Sequence, residues 1–366
     1  MAKFTCPFCI REYDKKKVLY FCPDCGTVAT PGLFAHTPIK CKTPNCGGYA
    51  TVRKCPYCEE VIPKVALETP NLPFSIIGVS NSGKTNYITV MLKELGRSSG
   101  LNLALGHQTI DTINQQNKNC SLIYDQHKTP DNTNSGKPLP QIWYIKNLQK
   151  KHGNEVPTYT FTIFDGAGED HENQLDPTST VCRYINASKA IILTVDPLIL
   201  PGIQSGIDVD TNIMANSLGT GSGGTVNAEE IIHSIANYIK SARGLDSSKM
   251  LDIPIAVVFT KFDTILNHRA FGPQALIKNP SMTVRNGTID LAEIQQIDSE
   301  IRYWLNQIGE NKFISALDSH FKEYYLFGVS SYGSPPKIAH TTPNEIKPHR
   351  VLDPILWLFK RAKFID

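Results

Sequence analysis

The segment Gly78-Val79-Ser80-Asn81-Ser82-Gly83-Lys84-Thr85 constrains this chain more than any other feature, because it fits the pattern GxxxxGK[ST] in full. The apolar run Phe74–Val79 before it reads as a strand, and Lys84–Leu95 after it reads as a helix. A strand, a glycine turn and a helix start together point backbone N–H groups inward, at a helix end that already favours anions. The site implied holds a nucleotide's phosphates. Gly78, Ser80, Asn81, Ser82 and Gly83 form the cradle, Lys84 bridges the two terminal phosphates, and the Thr85 hydroxyl ligates Mg2+.

From Phe74 onward, apolar strands alternate with amphipathic helices. Strands are expected at Ile142–Leu148, Tyr159–Phe164, Ala190–Val195, Ile255–Phe259 and Tyr324–Val329, and helices at Ala228–Ala242, Leu291–Ile308 and Asp353–Lys363. The pattern predicts an α/β fold, a mostly parallel sheet with helices on both faces, over residues 74–366. Two polar stretches interrupt it. Gln108–Pro140 reads as a long functional loop, and Gly202–Gly224 as a flexible Gly/Ser-rich insertion. With 41% hydrophobic and 19% charged residues there is ample material for a core. A net charge of +3 is too small to predict a nucleic-acid or membrane partner. No apolar run approaches the roughly 18 residues that a membrane helix needs, and the start lacks the apolar centre of a signal peptide, so a cytoplasmic location is expected.

Asp165-Gly166-Ala167-Gly168 follows the strand Tyr159–Phe164 and supplies DxxG: Asp165 would hold Mg2+ through water and the Gly168 N–H would sense the terminal phosphate. Thr260-Lys261-Phe262-Asp263 follows the strand Ile255–Phe259. Here the chain resembles the P-loop GTPases of the Ras-like fold, whose base-reading motif is [NT]KxD. The resemblance implies that GTP or GDP is the ligand and that the Asp263 carboxylate accepts from guanine N1–H and N2–H2. Lys261 would lie along the base, and Ser330-Ser331 would supply the backbone contact to the guanine oxygen. Adenine lacks that donor pair, so a buried carboxylate facing it is left unpaired. Asn81, at the fourth P-loop position, is similar to the translation-factor-related (TRAFAC) class, in some members of which this Asn helps bind K+. The paired cysteines Cys6/Cys9, Cys22/Cys25, Cys41/Cys46 and Cys55/Cys58, the Gly-rich insertion and the closing Asp353-Pro354-Ile355-Leu356-Trp357-Leu358 look similar to bacterial double-GTPase proteins of conflict systems.

Where Ras-like enzymes have the water-positioning Gln after DxxG, this chain has Glu169, then Asp170 and His171. A carboxylate facing the terminal phosphate is repelled unless protonated or paired with a cation, so slow, partner-dependent hydrolysis is expected. The switch-I threonine that ligates Mg2+ falls before Ile142. Thr129 and Thr133 both qualify, with Thr133 preferred.

The first 68 residues hold eight of the ten cysteines: Cys6-x2-Cys9, Cys22-x2-Cys25, Cys41-x4-Cys46 and Cys55-x2-Cys58. Paired knuckles of this spacing place four thiolates around one Zn2+, so two zinc ribbons are expected. Pairing in chain order, favoured over a cross-braced arrangement, assigns Cys6, Cys9, Cys22 and Cys25 to one ion and Cys41, Cys46, Cys55 and Cys58 to the other. Each unit is too small for a useful core, so the metal supplies folding energy. Residues 1–70 carry ten Lys/Arg against six Asp/Glu, a surplus that eight thiolates with two Zn2+ cancel. A protein partner, effector or activator, is therefore favoured over nucleic acid. Three functions fit: a GTP-hydrolysing switch, a nucleotide-binding scaffold with negligible turnover, and a ribosome- or RNA-associated GTPase.

Overall fold

The computed structural model describes residues 3–29, 39–78, 81–97, 100–130, 140–165, 180–204, 228–285, 287–338 and 340–365. Seven strands make one sheet: β1 (Asn71–Gly78), β2 (Leu103–His107), β3 (Gln141–Asn147), β4 (Thr158–Asp165), β5 (Ala190–Val195), β6 (Ile255–Phe259) and β7 (Tyr324–Gly328). Their order across the sheet is β7-β6-β5-β1-β4-β3-β2. The five strands from β7 to β4 are parallel, β3 runs antiparallel to β4, and β2 runs antiparallel to β3. This is the expected α/β fold, a mostly parallel sheet with helices on both faces.

Alternation within each central strand makes two cores. On β1, β5 and β6, Phe74, Ile76, Ile192, Ala256 and Val258 face one layer, while Ile77, Ile191, Leu193, Ile255 and Val257 face the other. The first layer is closed by α1 (Lys84–Arg97) and, near the C-terminus, by Asp353–Arg361. The second is closed by α3 (Thr180–Ala187), α4 (Ala228–Ala242) and α6 (Asn311–His320). Between them α5 (Leu291–Gln307) wraps β7, with Ile294 in the first core and Ile297, Ile301 and Trp304 in the second. The helix Asp353–Arg361, α7, buries every residue from Asp353 to Phe359. Its entry is fixed by Arg350, whose guanidinium reaches Glu293 at 2.9 Å and Asp353 at 2.8 Å, all three buried.

The structure corrects one expectation here. Gln108–Pro140 is not all loop: Ile110–Tyr124 is a helix, α2, preceded by the edge strand β2. Thr109 caps α2, its hydroxyl accepting from the Thr112 N–H. The buried positions of α2 are Thr112, Gln116, Asn119 and Ile123, a helical stripe made mainly of polar side chains. Gln116 Nε2 donates to Thr89 O at 2.9 Å and Thr112 Oγ1 accepts from Ile142 N at 2.9 Å, so hydrogen bonds replace the apolar face that periodicity seeks. Residues 131–139 of the same stretch, and 205–224 of the Gly/Ser-rich insertion, lie outside the described residues.

The N-terminal region is built from short antiparallel pairs. Lys3–Thr5 pairs with Glu12–Asp14, Ile39–Lys40 pairs with Tyr49–Ala50, and Leu19–Phe21 sits between Val28–Ala29 and Val52–Lys54. The pairing of Leu19–Phe21 with Val52–Lys54 carries the chain before Cys55 back to the first knuckle. This has a direct consequence for the metal sites.

Candidate nucleotide and zinc sites

The parallel strands end at one sheet edge, and the nucleotide motifs gather there. Gly78 closes β1 opposite Thr194 of β5, so tightly that a Cβ at Gly78 would lie 2.1 Å from Thr194 Oγ1 and 2.6 Å from its carbonyl. Only glycine fits this approach. Asn81 and Gly83 both take positive φ, 62° and 76°, which turns the loop before α1 begins. Lys84, buried at the first turn of α1, donates to Gly78 O at 2.8 Å across the loop. Ser82 is fully buried, its hydroxyl 2.9 Å from Thr194 Oγ1.

The loop after β6 is tied to this turn. Thr260 Oγ1 donates to Ser82 O at 2.7 Å, so the threonine standing at the usual Asn position links the base motif to the phosphate loop. Lys261 adopts left-handed φ 49°, and its Nζ pairs with Asp196 Oδ2 at 2.5 Å. Asp196 follows β5, is 2% exposed and also caps the next turn by accepting from Leu198 N. Asp263 is half-buried beside Ser330. Burial raises its carboxyl above the ordinary range, while a hydrogen bond from the Ser330 hydroxyl and the nearby Lys261 charge oppose that shift. Phe262 packs beneath Gly328, where a Cβ would come within 2.7 Å of its ring, and its N–H donates to Val329 O.

The structure therefore brings together Gly78, Ser82, Gly83, Lys84 and Thr260 at one end, and Lys261, Asp263 and Ser330 at the other. Ser330 is buried and its N–H donates to His349 O at 3.0 Å, which leaves Ser331 as the candidate backbone donor to a base. Thr85 sits in the first turn of α1. Thr129 is held by its N–H and hydroxyl to His340 O, at 3.1 and 3.4 Å. Ser80, Thr133, Gly168 and Glu169 lie outside the described residues, and Asp165 is described only as the last residue of β4. Sequence reasoning missed Thr194 and Asp196. Both lie on or just after a buried parallel strand at the sheet edge where the P-loop emerges, which is the signal that marks them.

The eight cysteines form two groups, but not in chain order. Cys6, Cys9, Cys55 and Cys58 make one, and Cys22, Cys25, Cys41 and Cys46 the other, with the sulfurs in each within 4.8 Å of one another. The expected consecutive sets are thus replaced by a nested pair, because Val52–Lys54 returns along Leu19–Phe21. Sulfur separations of 3.9 Å (Cys6–Cys58) and 3.7 Å (Cys9–Cys55) in the outer group, and 3.6 Å (Cys22–Cys46) and 3.5 Å (Cys25–Cys41) in the inner, fit zinc. Four thiolates at a Zn–S distance of about 2.3 Å lie about 3.8 Å apart on a tetrahedron. The thiols cannot all ionise unaided: hydrogen bonds from Cys58 and Cys6 pull Cys9 down to about 2, while the Cys58 and Cys9 contacts push Cys6 up. A divalent cation removes that conflict.

Each knuckle is followed by a left-handed residue: Ile10 (φ 57°), Gly26 (70°), Gly47 (63°) and Glu59 (61°). For a β-branched side chain this costs on the order of 1–2 kcal/mol. Ile10 is 6% exposed and lies in the core of the second sheet layer, not in the core of the zinc region.

No protein-family model and no curated protein matches the chain. Among solved structures, the Arl6 (BBS3) small GTPase of Trypanosoma brucei, with a bound GppNp analogue, is 13% identical at a TM-score of 0.31, covering 81% of this chain and 99% of that one. The Ski7 GTPase-like domain of S. cerevisiae bound to GTP is also 13% identical, with a TM-score of 0.36, covering 81% of this chain and 50% of that one. Roco2 RocCORdC of Methanosarcina barkeri bound to GDP is 11% identical, with a TM-score of 0.28 and coverages of 80% and 48%. The fold assignment rests on the strand order and the site geometry.

Proposed function

We propose that this chain is a Mg2+-dependent GTP-binding switch that hydrolyses GTP slowly by itself, with two zinc ribbons that dock a protein partner. One observation supports this reading above the others. Thr260 of the base motif is hydrogen-bonded to Ser82 of the phosphate loop, and three residues further on Asp263 stands beside Ser330. Phosphate grip and purine choice are thereby held in one frame. Lys84 would turn from Gly78 O to the terminal phosphates, Thr85 and Asp165 would hold Mg2+, and Asn81 would be the K+ ligand if that ion is used. Glu169 would face the terminal phosphate and slow the attack of water. Engagement of Thr129 by His340 favours Thr133 as the switch-I ligand. Membership of the TRAFAC class, a role in a bacterial conflict system and a cytoplasmic location belong to the same reading; among the described residues no helix is long and apolar enough to cross a membrane.

Fluorescent GTP, GDP and ATP titrated onto the zinc-loaded protein with Mg2+ test the proposal. GTP and GDP should bind well ahead of ATP. Lys84→Ala should weaken GTP by about tenfold to a hundredfold, the worth of a charge-assisted contact to phosphate. Equal binding of all three nucleotides, or an unaffected Lys84→Ala variant, defeats the reading. In single-turnover assays hydrolysis should stay below about 1 s−1 without a partner.

A further inference from the structure

One side of the outer knuckle is covered by the seven-stranded domain, which leaves the rest of the zinc region for a partner. The Ile10 side chain, on the residue after Cys9, belongs to the second core, the same cluster that holds Ile77, Phe164, Tyr184 and Ile185. Tyr184 of α3 is 1% exposed; its hydroxyl donates to Phe8 O and lies 3.0 Å from Pro7 O, two carbonyls inside the Cys6–Cys9 loop. Its ring stacks on Phe164, centroids 4.0 Å apart and planes 12° apart, and Phe164 directly precedes Asp165. Asn71, the first residue of β1, donates to Thr5 O at 3.4 Å. Both left-handed residues of the outer site, Ile10 and Glu59, carry side chains where the inner site has Gly26 and Gly47, and of the two only Ile10 is buried, as an anchor requires. The inner site, by contrast, presents Cys25 to solvent.

We infer that the outer four-cysteine knuckle is the resident partner of α3, so that zinc in this site and nucleotide at Lys84 bind as linked events. The inference rests on the GTP-binding reading above. In a nucleotide switch the segment after DxxG is reordered by the terminal phosphate. Here that segment leads into α3, and α3 is bolted to Cys6–Cys9 through Tyr184 and Ile10. Any shift of α3 between nucleotide states changes the fit of the knuckle, and by reciprocity the metal biases the nucleotide state equally. The inner site has no such tie among the contacts described.

The test uses the full chain loaded with two equivalents of zinc. Metal release into an excess of colorimetric chelator is timed in GDP and in a non-hydrolysable GTP analogue, with nucleotide binding read by fluorescence in the same samples. One of the two equivalents should change its release rate by about fivefold or more between the states. Ile10→Gly relaxes the backbone but removes the anchor; it should keep both zinc ions and the nucleotide affinity while the difference falls below about twofold. Tyr184→Phe keeps the stacked ring, loses the two carbonyl contacts and should shift the difference in the same direction. Equal release in the two states, by protein that demonstrably binds both nucleotides, overturns the linkage. A difference that survives both variants overturns the route. Absence of nucleotide binding removes the GTP reading and the linkage with it, and the fluorescence signal separates that case from the first.

Discussion

Asp263→Asn should cost the protein its guanine preference while leaving it folded. On the proposed reading the carboxylate accepts two hydrogen bonds from guanine, each worth about 1.5–3 kcal/mol when the acceptor is charged, so GTP affinity should fall at least about a hundredfold relative to ATP. Stability should move the other way. Burial holds the Asp263 carboxyl above its ordinary pKa, so in the nucleotide-free protein its contribution is full at pH below the unfolded value. It is lost as pH rises through the folded value. At neutral pH the neutral amide escapes that loss, and the nucleotide-free variant should melt no lower than wild type. Competition titrations of GTP against ATP, with thermal melts of both proteins, decide the matter. A variant that keeps its guanine preference removes Asp263 from the base site. A variant that melts well below wild type shows that the carboxylate is structural.

Pairs of cysteine substitutions should separate the nested zinc sites from consecutive ones by simple metal counting. In the nested arrangement Cys6 and Cys55 serve the same ion, so Cys6→Ser with Cys55→Ser should retain one equivalent of zinc. Cys6→Ser with Cys22→Ser strikes both groups and should lose both. Consecutive sets predict the reverse. Structural zinc contributes about 10–16 kcal/mol to folding in small ribbons, so even a partly weakened site is readily visible. The outer-site pair should also weaken the nucleotide domain, because Ile10 leaves its core. Loss of a buried branched side chain of this size costs about 2–5 kcal/mol. Zinc content by elemental analysis and a melt of each double variant provide both readouts.

Much of this molecule was legible in its residues, and the failures share a cause. Strands such as Ala190–Val195 and Ile255–Phe259 are buried on both faces and read as continuous apolar runs, so their position was plain. The turns Gly78–Thr85 and Thr260–Asp263 stood out by their residue types, and the structure brings them together through Thr260 and Ser82. The helix Ile110–Tyr124 was hidden because its inward face is Thr112, Gln116 and Asn119, and the hydrogen bonds that Thr112 and Gln116 make are revealed only by the folded chain. Asn311–His320 was missed as a short helix that follows α5 after three residues. Thr194 and Asp196 act on residues more than sixty positions away, which no local pattern reports. Zinc pairing is a question of which strands meet. Spacing shows that knuckles exist, but Leu19–Phe21 against Val52–Lys54 decides their partners.

Nesting also imposes an order on metal loading. Cys25 and Cys41 of the inner site stand 16 residues apart, whereas Cys9 and Cys55 of the outer site stand 46 apart. Closing the longer ring first costs about 1 kcal/mol more in chain entropy, and filling the shorter one first removes much of that slack. The first cysteines to leave the ribosome are therefore the last to be clasped. Cys58 precedes the whole seven-stranded domain in the chain, so the outer clasp can close and present Ile10 before Tyr184 and the core that receives it have been synthesised.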